Sequence, residues 1–229
     1  MPRNLILSGG VAHDYARTSL ALEAALGEVG IRSEIHEELG VVEDGSLHGF
    51  DMLTLNCARW TCAQNPEWRD QWRFELSLPA RRELLRFLGA GRGLLALHCA
   101  TLCFDDWPEY PRVLGAWWEW GHSSHAPLQE HAIEIVSPTH PITRGFADFV
   151  IHDELYTRPR VLDGVEPLAQ GTWEGAAHPI LWAREYGRAR VCYNALGHDL
   201  DAFEHPTNRT LLQRGALWVL GRLERSLPR

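Results

Sequence analysis

Residues 93–101 read GLLALHCAT, and this stretch decides the fold. Its unbroken apolar run is typical of a strand that is covered on both faces, as in a parallel α/β sheet. The run predicts a strand over residues 93–99, the most apolar strand of the chain. His98 and Cys99 therefore lie at its carboxyl end, which is where ligand sites gather in open α/β sheets.

The segments on either side of this strand alternate between strand and helix patterns. The N-terminal half predicts strands at residues 4–10, 31–36 and 52–57, helices at 14–29 and 79–88, and a long Trp-rich loop at 58–76. The C-terminal half predicts strands at 131–136, 167–173, 180–184 and 190–196, and a helix at 207–223. We therefore predict an α/β fold, a doubly wound and mostly parallel sheet with helices on both faces. No linker or repeat interrupts the chain, so we predict a single domain over residues 1–229.

Composition excludes several classes of function. The 229 residues have a net charge of −8, and all 22 positively charged residues are arginine. A lysine Schiff base is therefore excluded, and a nucleic-acid partner is disfavoured. No apolar run approaches the ~20 residues that span a bilayer, which predicts no membrane association. Five cysteines, an odd number, and no signal-peptide pattern favour the reducing cytoplasm.

Two residue pairs supply candidate catalytic groups. Cys99 is either a nucleophile, with its thiol pKa lowered by a helix N-terminus, or a small buried residue. His98 is a base, a metal ligand or a hydrogen-bonded structural residue. Asp153 and Glu154 are adjacent on an extended segment, so their side chains face opposite ways. We expect one of them to share a pocket with His98 and the other to be a solvated surface charge.

A third segment follows the strand at 190–196, where Gly197 lets the chain turn and His198 lies at the strand exit. We therefore expect His98 and His198 to lie in one pocket, with Glu154 or Asp153 joining them. They would form either a metal-free acid/base site or a site for a divalent metal such as zinc, with His98, Glu154 and His198 as the ligands. His13 reaches the same edge of the sheet, but the simpler interpretation of this segment is that Asp14 caps the following helix.

The side chains near these segments suggest a sugar as ligand. Aromatic rings pack on the C–H faces of sugars, and a few polar groups hydrogen-bond their hydroxyls. The predicted substrate-binding residues are Asn56, Arg59, Trp60, Trp118, His122 and Tyr156. The negative net charge argues against a phosphorylated ligand, so we predict a neutral sugar or an oxidised glycoside.

Nearly end to end, the chain resembles the ThuA-like, or trehalose-utilisation, family. The resemblance rests on motifs that occur in one order: GRGLLALHCAT (91–101), HPITRG (140–145), DELY (153–156), YGRARV (186–191) and LGHD (196–199). It implies a flavodoxin-like fold similar to that of class I glutamine amidotransferases. It also implies a bacterial protein of disaccharide catabolism, whose substrate is a sugar oxidised at the 3-position by a partner dehydrogenase.

Departures from the amidotransferase pattern indicate that the protein is not a working glutaminase. The resemblance places Cys99 at a Gly-x-Cys-x-Gly elbow, but Leu97 and Thr101 replace the two glycines. Leu200 stands where a Glu would orient the late histidine. Members of the family more often have Ser at the Cys99 position, which implies that His98 matters more than Cys99.

Three functions therefore remain open at the level of sequence. The first is a lyase or hydrolase that cleaves or hydrates a neutral or 3-keto glycoside. The second is a non-catalytic sugar-binding or regulatory module with a degenerate amidotransferase-like site. The third is a metal-dependent hydrolase of an unrelated amide or ester. The expected partners are a small sugar, a pathway sugar dehydrogenase and a second copy of the chain.

Overall fold

One nine-stranded sheet forms the centre of the protein in the computed structural model, which describes residues 1–223. The strands of the described chain, including two short two-stranded pairs, are β1 (Arg3–Gly10), β2 (Arg32–His36), β3 (Met52–Ala58), β4 (Gly93–Leu97), β5 (Ala116–Trp117), β6 (Ser124–His125), β7 (Gln129–Ile135), β8 (Phe149–Asp153), β9 (Tyr156–Thr157), β10 (Arg160–Val161), β11 (Pro167–Trp173), β12 (Ala176–Tyr186) and β13 (Ala189–Asn194). The α-helices are α1 (Tyr15–Glu28), α2 (Gly40–Glu43), α3 (Pro66–Trp72), α4 (Leu78–Gly89), α5 (Tyr110–Leu114), α6 (Leu200–Glu204) and α7 (Pro206–Val219).

The sheet has a parallel half and an antiparallel half. Its strand order is β2-β1-β3-β4-β13-β12-β11-β7-β8. The five strands from β2 to β13 are parallel to one another, and the remaining four are antiparallel to their neighbours. The carboxyl ends of β1, β3, β4 and β13 therefore meet at one edge of the sheet. The predicted α/β fold with a largely parallel sheet is confirmed for this half.

Helices cover both faces of the parallel half, because adjacent residues of a strand point to opposite faces. Leu94 of β4 lies with Leu84 and Leu88 of α4. The next residue, Leu95, faces α7, where a Cβ on Gly215 would lie 3.4 Å from a Leu95 methyl group. Every residue of β3 and β4 is buried. Burial on both faces explains why β4 is a continuous apolar run rather than an alternating one.

Gly10 determines the path of the chain as it leaves β1. Its φ is +129°, and a Cβ there would lie 2.3 Å from the carbonyl oxygen of Ala58 at the end of β3. Only glycine allows this close approach without displacing the backbone. The chain then turns over the carboxyl edge of the sheet before Asp14 accepts a hydrogen bond from Arg17 N and begins α1. The expected role of Asp14 as the helix N-cap is therefore confirmed.

Several element predictions differ from the structure. The helix predicted at 207–223 ends at Val219, and the strand predicted at 190–196 ends at Asn194. The predicted loop at 58–76 contains α3, which begins with Asn65 at the N-cap and Pro66 at N1, a helix-start signal that loop length and tryptophan content obscured. The strand predicted at 93–99 ends at Leu97, because His98 has a φ of 41° and leaves the strand direction. The strand predicted at 180–184 is longer and spans Ala176–Tyr186, because its antiparallel neighbours pair along its whole length.

Candidate active site

Four loops at the carboxyl edge of the sheet bring three histidines and one glutamate together. His13 follows β1, His98 follows β4, Glu154 follows β8 and His198 follows β13. Each of these residues offers one ligand atom, and the four atoms all lie within 4.8 Å of one another. The three histidines follow strands of the parallel half. Glu154 follows β8, the outermost strand of the antiparallel half, and approaches the same edge from there.

The distances within this cluster are short. Nε2 of His98 lies 3.1 Å from Nε2 of His13 and 3.6 Å from Oε2 of Glu154. Nδ1 of His198 lies 3.2 Å from the same Oε2. The imidazole rings of His13 and His198 have centroids 4.7 Å apart. One small ion or one substrate atom can therefore contact all four residues.

Backbone groups orient His98. Its Nδ1 lies 2.6 Å from the carbonyl oxygen of Ala195, which can only accept a hydrogen bond. The proton of a neutral His98 is therefore assigned to Nδ1, and Nε2 presents its lone pair to the cluster. The carbonyl oxygen of His98 in turn accepts a hydrogen bond from the Tyr193 hydroxyl at 2.8 Å. Both contacts come from the loop or strand of β13, so β13 orients a residue at the end of β4.

Asp153 holds two of the loops together. Its carboxylate is fully buried and accepts backbone hydrogen bonds from Glu154, Gly197 and His198 at 2.8–3.0 Å. These bonds tie the end of β8 to the loop after β13. The expectation that one carboxylate of the pair is a solvated surface charge is wrong. Glu154 is the carboxylate of the pair that shares the pocket with His98. The side chain of Asp153 points the other way and accepts hydrogen bonds from three backbone N–H groups instead of from water.

Cys99 and His125 complete the surroundings of the cluster. Sγ of Cys99 is buried, 3.3 Å from the Tyr156 hydroxyl and 3.7 Å from Nδ1 of His13. The resemblance places Cys99 at the elbow, but the positive φ of the turn lies at His98, one residue earlier. Nδ1 of the half-exposed His125 lies 3.3 Å from Oε1 of Glu154, on the opposite side of that carboxylate from His198.

Burial and close contacts shift the pKa values of the cluster in opposite directions. Burial lowers the pKa of His13, and the neighbouring His198 lowers it further. Contact with the Glu154 carboxylate raises the pKa of His198 against the effect of its own partial burial. Burial alone would raise the pKa of Glu154, but the contacts with His198 and His98 outweigh it and hold the pKa well below its usual value. Glu154 is therefore an anion at neutral pH.

A cavity of about 200 Å³ opens above the cluster. Four tryptophans and Tyr156 form much of its wall, and its floor contains His13, His198 and Glu154 of the cluster, whereas His98 does not line it. The lining residues are Val11, Ala12, His13, Ala58, Trp60, Asn65, Trp68, Cys99, Leu102, Trp118, Trp120, His125, Glu154, Tyr156 and His198. The described lining contains no arginine, and the chain has no lysine, so no permanently positive group faces the cavity.

The structure separates the predicted substrate-binding residues into two groups. Trp60, Trp118 and Tyr156 line the cavity, but Asn56, Arg59 and His122 do not. Asn56 points from β3 to α1, where its amide donates to the hydroxyls of Thr18 and Ser19. The Arg59 guanidinium turns away to donate to the carbonyl oxygens of Ser8 and Glu37. His122 lies in the turn that follows Trp120, where its N–H donates to the Glu119 carbonyl oxygen.

His13 is the main residue of the site that the sequence interpretation set aside. The two interpretations of residues 13–14 are compatible, because Asp14 caps α1 while the preceding His13 faces the cluster. The Gly9-Gly10 turn after an apolar strand was the available signal. Trp68 and Trp120 also line the cavity, and both stand in the Trp-rich segments that the sequence analysis singled out.

Comparisons with known proteins identify the family of this chain. The sequence profile of the ThuA family, described as trehalose utilisation, matches residues 3–219. The chain belongs to the ThuA family. No curated protein matches its sequence.

Solved structures of ThuA-like proteins share the fold. A ThuA-like protein from Parabacteroides merdae superposes with a TM-score of 0.78 at 21% identity, covering 100% of this chain and 93% of that one. A second, from Bacteroides uniformis, has a TM-score of 0.73 at 18% identity, covering 95% and 90%. A cytoplasmic protein from Salmonella typhimurium has a TM-score of 0.65 at 14% identity, covering 96% and 99%. Among residues 1–223 of this ThuA protein, no helix is long and apolar enough to cross a membrane.

Proposed function

We propose that this ThuA protein is a cytoplasmic enzyme of disaccharide utilisation that acts on a neutral or 3-keto glycoside. The observation that supports the proposal is the cavity, which has tryptophans in its walls and lies above the cluster of three histidines and one glutamate. The family description, trehalose utilisation, indicates the substrate class. The cytoplasmic location is proposed from the Salmonella structure of the same fold.

The walls suit a sugar ring. Trp60 contacts Trp68 and Trp120 with ring centroids 5.9 and 6.0 Å apart, and Trp118 lies 5.1 Å from Tyr156. Aromatic faces of this kind pack on the C–H faces of a sugar. Drug-sized ligands occupy cavities of roughly 300–1,000 Å³, so about 200 Å³ suits a single ring with the rest of a glycoside at the mouth.

The charge of the cavity favours a neutral ligand. Phosphate groups in proteins are held by Arg, Lys or a helix N-terminus. No arginine lines the described cavity, and the Glu154 carboxylate on its floor would repel a phosphate. A sugar phosphate is therefore a poor candidate, in agreement with the net charge of −8.

A 3-keto group gives the site a feasible reaction. The ketone acidifies the hydrogen on C2, so a base removes that proton and the electrons form a C1–C2 double bond. The bond between C1 and the glycosidic oxygen breaks, and the departing oxygen takes a proton from an acid or from water. Addition of one water across the double bond then gives the free keto sugar and the released alcohol. A sugar dehydrogenase acting earlier would supply the ketone.

The competing functions each predict a different ligand or a different outcome of binding. A binding or regulatory module would bind a sugar and leave it unchanged. A hydrolase of amides or esters would turn over such substrates and ignore keto sugars. Two observations disfavour a glutaminase. Leu97 and Thr101 replace the elbow glycines, and the turn with positive φ lies at His98 rather than at Cys99.

A turnover assay tests the proposal. Purified protein is incubated with 3-keto-trehalose and 3-keto-glucosides, and in parallel with trehalose, glucose, sugar phosphates, glutamine and a nitrophenyl ester. We expect turnover of the keto glycosides alone. Glu154→Gln should lower kcat/KM by more than about 100-fold, as expected for loss of a group at the reacting centre. The matched control is Glu130→Gln on the exposed face of β7, which should retain full activity.

Three results would contradict the proposal. Binding of a keto glycoside without turnover, under conditions in which the upstream dehydrogenase product is stable, would favour the binding module. Turnover of only glutamine or the ester would favour the hydrolase alternatives. Equal loss of activity in Glu130→Gln and Glu154→Gln would place the reaction elsewhere in the molecule.

A further inference from the structure

We propose that His13, His98, Glu154 and His198 bind one divalent transition-metal ion. The site is the one described above, and the catalytic role of the ion rests on the proposed function. The inference adds His13 as a fourth ligand to the three residues expected from the sequence. It also decides between the two chemistries that the sequence left open, in favour of the metal.

The spacing of the four ligand atoms is that of a coordination shell. Metal–nitrogen bonds of about 2.0–2.1 Å place adjacent ligands roughly 2.8–3.0 Å apart in octahedral geometry and roughly 3.3–3.4 Å apart in tetrahedral geometry. The His13–His98 pair at 3.1 Å and the His198–Glu154 pair at 3.2 Å fall between these values, and the His98–Glu154 pair at 3.6 Å is just above them. No pair among the four exceeds 4.8 Å, so side-chain shifts of a few tenths of an ångström bring every ligand atom within bonding distance of one ion.

The lone pairs of the histidines point inward. Nδ1 of His98 donates a hydrogen bond to the Ala195 carbonyl oxygen, so Nε2 is unprotonated and free to bind an ion. Nδ1 of His13 has the Val11 carbonyl oxygen at 3.4 Å and the Tyr15 hydroxyl at 3.3 Å, so its proton can also lie outside the cluster. Metal-binding histidines are commonly oriented by such outer hydrogen bonds. With both Nε2 atoms unprotonated, the two lone pairs would face each other at 3.1 Å and repel unless a cation lay between them.

His198 provides an independent observation. Its Nδ1 is buried and, among the described residues, has no hydrogen-bond partner. The contact with Glu154 is close enough for an ion pair but is not aligned as a hydrogen bond. Burying a polar atom without a hydrogen-bond partner costs free energy of folding. In native proteins such an atom usually contacts a ligand, a water molecule or an ion. A metal on the lone pair of this nitrogen would satisfy it.

Electrostatics also favours a bound cation. The buried Asp153 carboxylate and the Glu154 carboxylate lie within one residue of each other, and no arginine lines the cavity. Buried carboxylates need a compensating positive charge or several hydrogen bonds. Asp153 has three backbone N–H donors, whereas Glu154 has histidines around it. A divalent ion would neutralise Glu154 while the three imidazoles remain neutral.

The chemistry of the ligands indicates the class of metal. Three imidazoles and one carboxylate suit zinc and the neighbouring divalent transition metals, whereas magnesium and calcium prefer oxygen ligands. The ion would face the cavity, because three of its four ligands line it. There it would act as a Lewis acid on the ketone oxygen of the substrate, which raises the acidity of the hydrogen on C2.

A second group of potential ligands offers a control. His152, Asp199 and Asp201 also place ligand atoms within 4.8 Å of one another. This group is at the surface, with His152 and Asp201 exposed, and exposed acidic groups are common without an ion. We propose no site there. His152→Ala serves as a variant that removes a surface histidine and leaves the cluster unchanged.

The experiment measures metal binding without reference to activity. Protein purified without a His-tag is treated with EDTA, dialysed and titrated with Zn²⁺ in a calorimeter, with Mg²⁺ in parallel. We expect one equivalent of Zn²⁺ with a dissociation constant below about 1 μM and no comparable binding of Mg²⁺. His198→Ala and Glu154→Gln should each weaken binding by at least about 100-fold, while His152→Ala should bind as the unchanged protein does.

Folding and geometry are checked separately. Circular dichroism of each apo variant shows whether the fold is retained, and His13→Ala is added as a further ligand variant. Titration with Co²⁺ reports the coordination directly, because visible absorption bands appear when imidazoles bind the ion. We expect these bands in the unchanged protein and in His152→Ala, and their loss in the ligand variants that remain folded.

Several outcomes would overturn the proposal. Less than about one-tenth equivalent of Zn²⁺, or binding that His152→Ala abolishes and His198→Ala retains, would show that the cluster is not a metal site. Full keto-glycoside turnover in EDTA-treated, metal-free protein would overturn the catalytic role of the metal while leaving the proposed function intact. One tight equivalent of Zn²⁺ with no turnover of any keto glycoside would instead support the metal site and contradict the proposed function.

Discussion

At His98 the backbone φ is 41°, in the left-handed region that non-glycine residues rarely occupy. Such a conformation costs about 1–3 kcal/mol and persists only where the surroundings impose it. Here the surroundings are the Ala195 carbonyl oxygen on the ring and the Tyr193 hydroxyl on the His98 carbonyl oxygen. The turn places the imidazole, rather than the following thiol, over the edge of the sheet.

This geometry predicts different outcomes for two adjacent substitutions. Cys99→Ser should keep kcat/KM within about 3-fold, because serine retains a hydrogen-bonding group near the Tyr156 hydroxyl and the thiol has no required role. His98→Ala should lower kcat/KM by more than about 100-fold, because it removes the central ligand or base of the cluster. Both are measured on keto glycosides, with circular dichroism to check the fold.

Roles would be reversed if Cys99 formed a covalent adduct with substrate. Mass spectrometry of protein quenched during turnover detects such an adduct. Its presence, together with inactivity of Cys99→Ser, would make the thiol the nucleophile and His98 its partner.

At the scale of elements, the site depends on a contact between the end of β8 and the loop after β13. Three strands separate β8 from β13 in the sheet, so their ends do not meet through strand pairing. The Asp153 carboxylate makes the connection through the N–H groups of Gly197 and His198. Glu154 and His198 are therefore neighbours because the residue before one binds the backbone of the other.

Asp153→Asn should separate these two elements. The amide presents N–H protons to a position where three backbone N–H groups already point, so at least one donor is left unpaired. We expect the free energy of unfolding to fall by about 2–3 kcal/mol, measured by urea denaturation.

The matched control is Asp148→Asn at the other end of the same strand. Asp148 is exposed and accepts a single backbone hydrogen bond, from Ile135. Its substitution should cost less than about 1 kcal/mol. Equal costs for the two variants would show that the buried Asp153 does not tie the loops together.

At the scale of the whole molecule, the partly buried His140 and the buried His178 contribute to the response to acid. Burial lowers the pKa of His140 and of His178, and His140 also accepts a hydrogen bond on Nδ1 from the Ile142 N–H. The unfolded chain therefore binds protons more tightly than the folded chain at these positions. The stability that they contribute is present above the unfolded pKa of about 6.5 and is lost as the pH falls toward the folded values.

His140→Asn should make the free energy of unfolding less sensitive to pH between about 7.5 and 5.5. Asparagine can accept the Ile142 hydrogen bond without a titrating group, so the fold is expected to be retained. Urea denaturation at several pH values measures the slope. Thr139→Ala, an exposed neighbour that does not titrate, should keep the slope of the unchanged protein. A slope in His140→Asn as steep as in Thr139→Ala would show that His140 does not contribute.

Local patterns determined much of this protein from the sequence alone. The apolar run at 93–97, the helix-start and helix-stop residues and the hairpin before Ala189 are short-range signals, and they identified β4, α1 and the β12–β13 pair. Because ligand sites gather at the carboxyl ends of parallel strands, the same patterns placed His98 and His198 at one edge. The adjacent Asp153 and Glu154 then offered a carboxylate as the third member, because only one of the two side chains can face the same pocket.

Tertiary structure alone decided which of these side chains meet. His13 faces the cluster because Gly10 packs against β3, and Glu154 faces it because Asp153 finds backbone donors behind the strand. Asn56 and Arg59 do not line the cavity, because their polar groups form hydrogen bonds elsewhere. Asn56 bonds to residues of α1, and Arg59 bonds to the loop after β2. Periodicity reports which face of an element is apolar. Which polar side chain finds a partner depends on strand order and on contacts between residues far apart in the chain, and these appear only when the whole molecule packs.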